Sequence, residues 1–482
     1  METSYRAVGA KRMPGTAFLA AAVLAGFIGI APAGGDPQGA FPLRISPNNR
    51  YFVDRQGTPF LIQGDTAWSL IAQLTLREAG VYLDRRRVQG FNAILVNLIE
   101  HKFSSKAPRN AAGAAPFLTP GDLSTPNEAY FAHADQVIAL AAERGMAVFL
   151  APAYLGWRGG DEGWFKEVRR NGADRVRGYG KYIGSRLGPH ANLVWVLGGD
   201  YTPAWLDRWT VDALAAGLHD SGVTQLMTAH CGQESPAKAF GRRRWLDFSN
   251  VYSYGPDLFA ESLAEYQRQP TRPFVLLEAF YEGEHDASPE LIRSQGYAAL
   301  LAGAAGQFFG NNPVWNFDAP VKVFPSVLKW PEALESRGAR EIGLLGKLFL
   351  GLRWYDLVPA GRSSPLSRRS DESGPGRLLP AAVSDDGGLF VAYVRGPAPG
   401  GLRMNPDGLI RPGEAFWFDP TNGKRTAIEP SAFSGQGQRT IPLPGKNADG
   451  ADDWLLVFRA KGGGKAPGEH GEESGTWTGS VR

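Results

Sequence analysis

Two acidic residues stand just after short apolar segments. Residues 274–277 (Phe-Val-Leu-Leu) end in Glu278, and residues 194–197 (Val-Trp-Val-Leu) lead through two glycines to Asp200. Apolar runs of this length, bounded by turn residues, are typical of buried strands in a parallel sheet. A charge is costly inside such a sheet, so each carboxylate is expected where its strand leaves the core. We predict that Asp200 and Glu278 face each other across one pocket.

A pair of carboxyl groups suits the hydrolysis of a glycosidic bond. One group, kept protonated, supplies a proton to the leaving oxygen, and the other stabilises or captures the positively charged carbon. We assign Asp200 as the acid/base and Glu278 as the nucleophile. A retaining reaction is the first expectation and implies carboxyl groups about 5–5.5 Å apart, whereas about 6.5–9.5 Å would indicate an inverting reaction. Taken singly, either carboxylate could instead cap a helix or pair with an arginine.

The residues expected to bind a substrate follow from the same argument. In a closed barrel of parallel strands, functional side chains lie at the carboxyl ends of the strands. Aromatic rings there could stack on sugar faces, and polar side chains could bind hydroxyl groups, although packing or loop bracing is the competing interpretation for each. The predicted substrate-binding residues are Asp65, Trp68, Asn97, His101, Tyr154, His230, Tyr252, Tyr281 and Trp315.

Other chemistries have weaker signals in the chain. No His-Glu-x-x-His pair is present, so no metal site is predicted, and no Gly-x-Ser-x-Gly segment indicates a serine nucleophile. Cys231 is the only cysteine, which excludes an intrachain disulfide. Lys and Arg number 51 against 48 Asp and Glu, a balance that predicts no nucleic-acid partner. No cofactor is predicted, and the expected partner is a carbohydrate.

Strand and helix patterns alternate through most of the chain. This alternation indicates parallel strands joined by right-handed helical crossovers, and eight such units predict an α/β fold, a (β/α)8 TIM barrel. A doubly wound open sheet is the alternative, but it would need a glycine-rich phosphate turn after the first strand, and residues 64–66 (Gly-Asp-Thr) offer none. The predicted strands lie near Phe60, Ile94, Val148, Val194, Met227, Val251, Val275 and Phe308.

The two ends of the chain differ from this middle part. Arg6, Lys11 and Arg12 precede an apolar stretch at residues 16–30 and a small-residue site at residues 31–33. This pattern predicts a cleaved signal peptide and a secreted or periplasmic protein with no membrane contact after cleavage. An uncleaved membrane anchor is the alternative. Short alternating strands without helices predict a small C-terminal β-sandwich. The predicted segments are 1–33 signal peptide, 41–357 barrel, 378–460 sandwich and 461–482 disordered tail.

Three of these segments resemble a known family. Residues 50–68, with Tyr-Phe-Val-Asp, Gly-Thr-Pro-Phe and Gly-Asp-Thr-Ala-Trp, resemble the opening of the apiosidase-like glycoside hydrolases, family 140 and its relatives. The strands that end in Asp200 and Glu278 look like that family's two catalytic strands. Residues 416–423 (Phe-Trp-Phe-Asp-Pro-Thr-Asn-Gly) resemble the signature of its companion β-sandwich, often labelled collagen-binding. The resemblance covers roughly residues 41–458 and implies a barrel, a sandwich and release of a sugar such as apiose.

Two functions from different classes follow. The first is a secreted glycoside hydrolase that cleaves a plant or microbial polysaccharide. The second is a secreted protein that binds carbohydrate or matrix without catalysis.

Overall fold

The computed structural model describes residues 37–320, 324–367, 379–396, 398, 401–407, 409–410, 412–429, 433 and 437–460. The predicted signal peptide, residues 1–33, and the predicted tail, residues 461–482, lie outside the described residues. Within the described residues, no helix combines the length and the apolar character needed to cross a membrane.

Eight parallel strands form a nearly closed barrel. Seven neighbouring pairs of strands are joined by ladders of backbone hydrogen bonds. The remaining two neighbours, the strands at residues 227–230 and 249–252, are linked by individual hydrogen bonds, such as the one from Thr228 Oγ1 to the Phe248 carbonyl, 2.8 Å. All eight predicted strand positions are found, the first one two residues later than expected because Phe60 belongs to a separate hairpin. The barrel strands are β4 (Ile62–Thr66), β5 (Ala93–Asn97), β6 (Ala147–Ala151), β7 (Leu193–Gly198), β8 (Met227–His230), β9 (Ser249–Tyr252), β10 (Phe274–Glu278) and β11 (Gly306–Phe309).

Helices lie between the strands and begin where local sequence signals predict. The spacing of Thr75 and Glu78 in the sequence predicts a capping box, which the two residues form, and Ser288 caps a helix with a proline at its first position. The Thr202-Pro203 pair in the sequence predicts another cap, with proline at the first helical position, but this prediction is wrong, since the next α-helix starts only at Trp209. The α-helices are α1 (Leu70–Gln73), α2 (Leu76–Val88), α3 (Glu128–Glu143), α4 (Phe165–Leu187), α5 (Trp209–Asp220), α6 (Pro236–Phe240), α7 (Leu258–Tyr266), α8 (Pro289–Leu301), α9 (Trp330–Ala333) and α10 (Arg337–Leu350). Short 3-10 helices span Pro37–Ala40, Trp157–Gly159, Trp205–Asp207, Trp354–Asp356 and Gly361–Ser363.

Alternate residues of each barrel strand face the barrel interior and the helices. Ile62, Leu95 and Val196 belong to the apolar cluster that fills the barrel, while Ile94 and Trp195 belong to the cluster shared with the helices. Successive side chains of a strand point to opposite faces. A shift of one position along the strand therefore moves a side chain from the barrel interior to the helix layer.

An N-terminal antiparallel sheet covers the end of the barrel where the strands begin. Its strands are β1 (Arg44–Ile45), β2 (Phe52–Val53) and β3 (Pro59–Phe60). Phe52 packs edge-on against Phe248, which precedes β9, with ring centroids 5.1 Å apart. The opposite end, where the strands finish, is therefore the end left for a site.

Two antiparallel sheets follow the barrel. They enclose an apolar core that includes Phe390, Trp417 and Phe458. The fold class, a (β/α)8 barrel followed by antiparallel sheets, is therefore confirmed. In sheet order, the six-stranded sheet contains β12 (Leu357–Pro359), β14 (Ala381–Ser384), β15 (Leu389–Arg395), β20 (Asp453–Ala460), β17 (Pro412–Phe418) and β18 (Arg425–Ala427), and the three-stranded sheet contains β13 (Leu366–Ser367), β16 (Leu402–Met404) and β19 (Arg439–Ile441).

Strands β12 and β13 precede residue 378, where the sequence pattern predicted the second domain to begin. They are too short to produce a clear alternating pattern, and residues 368–378 lie outside the described part of the chain. The exact division of the chain into domains stays a prediction.

The Asp-Pro-Thr-Asn-Gly segment of the sandwich is a hairpin turn between β17 and β18. The Asp419 carboxylate accepts hydrogen bonds from the Thr421 amide (2.9 Å) and hydroxyl (2.6 Å), and from the Ala448 amide (3.0 Å). Gly423 closes the turn with φ 76°, a conformation that favours glycine. These contacts give the motif a structural role.

Candidate active site

Asp200 is placed by a strained turn at the end of β7. Gly198, Gly199 and Asp200 have φ values of 81°, 135° and 54°. A Cβ at Gly198 would lie 2.8 Å from the His230 carbonyl oxygen, and one at Gly199 would lie 2.6 Å from the Tyr154 ring, so only glycine fits both positions. An aspartate with positive φ is uncommon and costs backbone energy, a feature that clusters at functional sites.

Glu278 reaches the barrel interior because of a β-bulge. Leu276 pairs with Val251 and both face the helices, whereas Glu278 pairs with Tyr252, so the register shifts by one residue between the two pairs. Without this shift, strict alternation would point Glu278 in the same direction as Leu276, away from the interior. Bulges next to active sites often redirect a side chain in this way.

His230, the last residue of β8, lies between the two acidic residues. Its Nδ1 accepts a hydrogen bond from the Asp200 amide, 3.3 Å, and its Nε2 lies 3.1 Å from Glu278 Oε2. In the neutral ring Nδ1 is this acceptor and the proton is on Nε2, whereas in the protonated ring both nitrogens carry a proton. Burial opposes the charged form, but the neighbouring carboxylates of Glu278 and Asp200 outweigh it and raise the pKa of His230. The structure therefore brings Asp200, His230 and Glu278 together.

Tyrosine hydroxyls surround the two carboxylates. Tyr154 donates to Asp200 Oδ2 at 3.1 Å, and Tyr254 donates to Glu278 Oε1 at 3.4 Å. The Tyr252 ring lies against His230, with centroids 5.1 Å apart. Asp200 Oδ1 is buried and receives no hydrogen bond from any described residue. A buried oxygen without a partner is available to a substrate.

Burial raises the pKa of Asp200 to about 6, and repulsion from Glu278 adds to the increase. The positive charge of His230 and the hydroxyls of Tyr252 and Tyr154 act in the opposite direction without cancelling it. Asp200 is thus protonated below a pH of about 6, although an ordinary aspartate loses its proton near pH 4. A carboxyl group of this kind can donate a proton in mildly acidic solution.

Aromatic side chains pack around Asp200, His230 and Glu278 at this end of the barrel. The Trp68 ring is stacked on His230, with centroids 5.6 Å apart, and its Nε1 donates to the Tyr281 hydroxyl at 3.0 Å. The Trp315 ring meets Phe103 edge-on at 5.4 Å. Trp68 and Trp315 are buried, with 7% of each residue exposed.

Glu284 is a third acidic residue of this region that the sequence analysis did not select. Its Oε1 accepts a hydrogen bond from Trp315 Nε1, 2.8 Å. Burial raises its pKa to about 7; the Trp315 hydrogen bond lowers it, and repulsion from Glu278 adds to the increase. Its position only six residues after Glu278, in the same loop after β10, was the available signal.

Asn97 faces the barrel interior at the end of β5. It is 2% exposed, its Nδ2 donates to Glu100 Oε2 at 3.2 Å, and its Oδ1 is buried without a partner among the described residues. Glu100 in turn accepts bonds from the backbone amides of His101 and Phe103. Glu100 thus holds the loop that carries Phe103 against Trp315.

His101 is placed apart from the carboxyl pair. Its ring meets Trp164 edge-on at 4.6 Å, and its Nε2 lies 3.7 Å from Glu167 Oε2, so it packs against the loop and helix that follow β6. Burial lowers its pKa. The structure shows no contact between His101 and Asp200 or Glu278.

Asp65 does not reach the pocket, in contrast to the sequence-based expectation. Asp65 lies three positions after the interior residue Ile62, so its side chain points to the opposite face of β4, towards α2. There its Oδ2 accepts hydrogen bonds from the Tyr82 hydroxyl (2.6 Å) and Arg86 Nε (2.7 Å). Asp65 and Arg86 are both 0% exposed. Its role in this structure is to compensate a buried arginine.

Asp65→Asn is therefore expected to lower the free energy of unfolding by about 3 kcal/mol, because it leaves the Arg86 charge buried without its partner. The activity of the folded protein should be unchanged. Urea denaturation and activity assays measure the two effects, with exposed Asp174→Asn as the matched control. A loss of activity at unchanged stability would contradict this assignment.

Neither a metal site nor a cysteine nucleophile is supported by the described residues. They contain no group of three or more His, Cys, Asp or Glu side chains arranged to hold a metal ion. Burial raises the pKa of the Cys231 thiol to about 12, which leaves almost no thiolate at neutral pH.

Comparisons with known proteins agree with this architecture. The family described as "Apiosidase-like, catalytic domain" matches residues 46–356, which confirms the resemblance seen in the sequence. A solved glycoside hydrolase is 21% identical with a TM-score of 0.74, over 89% of this chain and 99% of that chain. A family 5 glycoside hydrolase from Bacteroides vulgatus ATCC 8482 is also 21% identical, with a TM-score of 0.72 over 88% and 94%. At these identities the two structures show the shared fold. A search of curated proteins finds no match.

Proposed function

We propose that this chain, which belongs to the apiosidase-like catalytic-domain family, cleaves a glycosidic bond with the carboxyl groups of Asp200 and Glu278. The single observation that carries this proposal is the contact of His230 with both residues, 3.3 Å from the Asp200 amide and 3.1 Å from the Glu278 carboxylate. Two carboxyl groups with different surroundings are what acid-assisted cleavage of an acetal requires.

Asp200 acts as the acid and then as the base. Its raised pKa supports this role, since a protonated carboxyl group can give its proton to the leaving oxygen as the glycosidic bond breaks. Glu278 acts as the nucleophile: His230 and Tyr254 orient its oxygens, and one of them bonds to the anomeric carbon. Water, deprotonated by Asp200, then attacks the same carbon and releases Glu278. Two displacements retain the configuration of the sugar.

Trp68 and Trp315 provide ring surfaces for the sugar, and Asn97 Oδ1 accepts a hydrogen bond from one of its hydroxyl groups. Tyr154, Tyr252 and Tyr281 complete the wall. The buried, unpartnered oxygens of Asn97 and Asp200 support this arrangement, since buried polar atoms normally have partners.

The substrate is a branched plant or microbial polysaccharide, and the reaction resembles removal of a terminal sugar such as apiose. The test is incubation of the purified protein with branched plant and bacterial glycans, followed by identification of the released sugar by mass spectrometry. NMR of the first product measures whether its anomeric configuration is retained. Release of no sugar from any of these glycans would contradict the proposal.

A secreted or periplasmic location follows from the basic and apolar segments that precede residue 34. N-terminal sequencing of the protein recovered from the medium or the periplasm tests it. A mature chain that starts near residue 34 is expected, and a membrane-bound chain that retains Met1 would contradict it.

The pH profile gives a prediction specific to Asp200. Its pKa of about 6 places the fall of kcat/KM above pH 6, because the acid form is present below this pH and is lost above it. His230→Gln removes the ring whose protonated form lowers the pKa of Asp200, so the fall should move to higher pH while the maximal rate decreases. Glu284→Gln serves as the control and should leave the fall near pH 6. A profile that stays flat from pH 5 to 8 would contradict the role of Asp200.

A further inference from the structure

A cleft of about 420 Å³ lies between the barrel and the C-terminal sheets. Its barrel wall includes Gly303 and Ala304, which precede β11, and Tyr266 at the end of α7. Its other wall includes Ser384, the last residue of β14, and Asp385, which follows it. Residues that precede barrel strands lie at the end opposite to the carboxyl pair. The proposed hydrolysis does not use this cleft. Its volume is in the range of small-molecule sites, about 300–1,000 Å³.

Three aromatic side chains form one side of the cleft. The Tyr51 ring lies 5.8 Å from Trp354 and 5.9 Å from Tyr355, and the last two lie 6.0 Å from each other. Trp354 is 8% exposed beneath the tyrosines, which are partly exposed. The cleft therefore offers tyrosine ring surface and phenol groups held in place by mutual packing.

Among the described residues of the cleft, the two arginines are engaged with protein groups, and the carboxylate of Asp385 is exposed to a ligand. The Arg50 guanidinium lies 3.8 Å from the centroid of the Tyr266 ring and donates to the Tyr266 carbonyl at 2.6 Å. Arg353 pairs with Asp356 at 3.3 Å and with Asp386 at 2.7 Å. Asp385 is exposed at the mouth.

We propose that this cleft is a second, non-catalytic binding site for a neutral oligosaccharide. A sugar ring has an apolar C–H face that suits Tyr51 and Tyr355, and hydroxyl groups that donate to Asp356 and Asp385. The three carboxylates of the cleft exceed by one the two guanidinium groups of Arg50 and Arg353, and this excess negative charge disfavours phosphate and other anions. The same charged groups disfavour a lipid chain.

A site at this end would hold a polymer while another part of the same chain or particle enters the catalytic pocket. Joining two sites on one protein raises the effective concentration of substrate at the second site without a new contact at the first. The increase in reaction rate would therefore appear with polymeric substrates and be absent with short ones.

The test uses the full chain carrying Glu278→Gln, so that no probe is hydrolysed. A printed array of neutral plant and bacterial oligosaccharides identifies the strongest probe, whose affinity is then measured by calorimetry. Tyr355→Ala and Asp385→Asn, each added to this protein, are expected to weaken binding of that probe at least about tenfold, which corresponds to the loss of one stacking or charged contact. Asp174→Asn, an exposed aspartate distant in sequence, is the matched control and should change nothing.

Three results would overturn the proposal. One is that no oligosaccharide of the array binds. Another is that binding is unchanged by both cleft variants but is lost with Trp315→Ala, which assigns all binding to the catalytic pocket. The third is that spermidine, tested as a cationic probe, binds at the cleft in place of sugars. Each result is independent of whether the unaltered enzyme releases a sugar, so failure of the catalytic proposal is recognised separately.

Discussion

Asp200→Asn is expected to lower kcat by about 10²–10⁴-fold, the contribution of a general acid–base group, and Glu278→Gln by more, because the nucleophile is lost, while both proteins stay folded. Glutamine has the shape of glutamate but a neutral amide that cannot form the glycosyl ester. Asparagine cannot release a proton to the leaving oxygen. The rate is measured on the glycan that gives product with the unaltered enzyme, and circular dichroism checks the fold.

The leaving group separates the two roles. An activated aryl glycoside needs little protonation, so Asp200→Asn should regain much of its rate on that substrate, whereas Glu278→Gln should stay inactive on both. Glu143→Gln, whose side chain is 59% exposed on α3, is the matched control and should be fully active. If both site variants keep normal function, the protein is a carbohydrate-binding protein without catalysis, which is the alternative that the sequence left open.

Arg293→Met is expected to lower the free energy of unfolding by about 3–5 kcal/mol, the range measured when one partner of a buried ion pair is removed. Arg293 lies on α8 and is 0% exposed. Its Nε donates to Asp453 Oδ2 on β20 at 2.6 Å, and its Nη1 donates to Glu341 Oε2 on α10 at 3.0 Å. Without the arginine, two carboxylates would be buried between the barrel helices and the C-terminal sheet.

Urea denaturation followed by tryptophan fluorescence measures this loss. Arg170→Met is the control, since that arginine is 65% exposed and lies 3.6 Å from Glu167, a surface pair worth at most about 1 kcal/mol. Replacing Arg293, Glu341 and Asp453 together by apolar residues should recover much of the stability, because no charge is then left unpaired. If Arg293→Met is as stable as Arg170→Met, the ion pairs of Arg293 do not hold the barrel and the C-terminal sheets together.

Local patterns predicted the architecture well. Short apolar runs and helical periodicity located the eight barrel strands and most helices, because these signals depend on neighbouring residues. The capping box of Thr75 and Glu78 is a contact across three residues and could be read directly. The region after Gly199 was predicted less well, since the Thr202-Pro203 pair looks like a cap but the chain continues through a 3-10 turn before α5.

The positions of the site residues along the chain were accessible from sequence, but their directions were not. Asp65 and Asn97 both lie at the ends of barrel strands, yet Asp65 faces Arg86 and Asn97 faces the interior. Glu284 escaped selection because it lies within a loop, where no periodic pattern indicates direction. Its contact with Trp315 joins residues 31 positions apart.

The order of apolar and acidic residues was enough to place Asp200 and Glu278 at the carboxyl ends of strands, because burial of a charge within a strand would cost too much. The approach of both residues to one histidine depends on the three-dimensional packing. Glu278 turns inward through a shift of register between β9 and β10, and Asp200 turns back through two glycines packed against Tyr154 and His230. Register and close packing depend on residues distant in the chain, so no local pattern carries them.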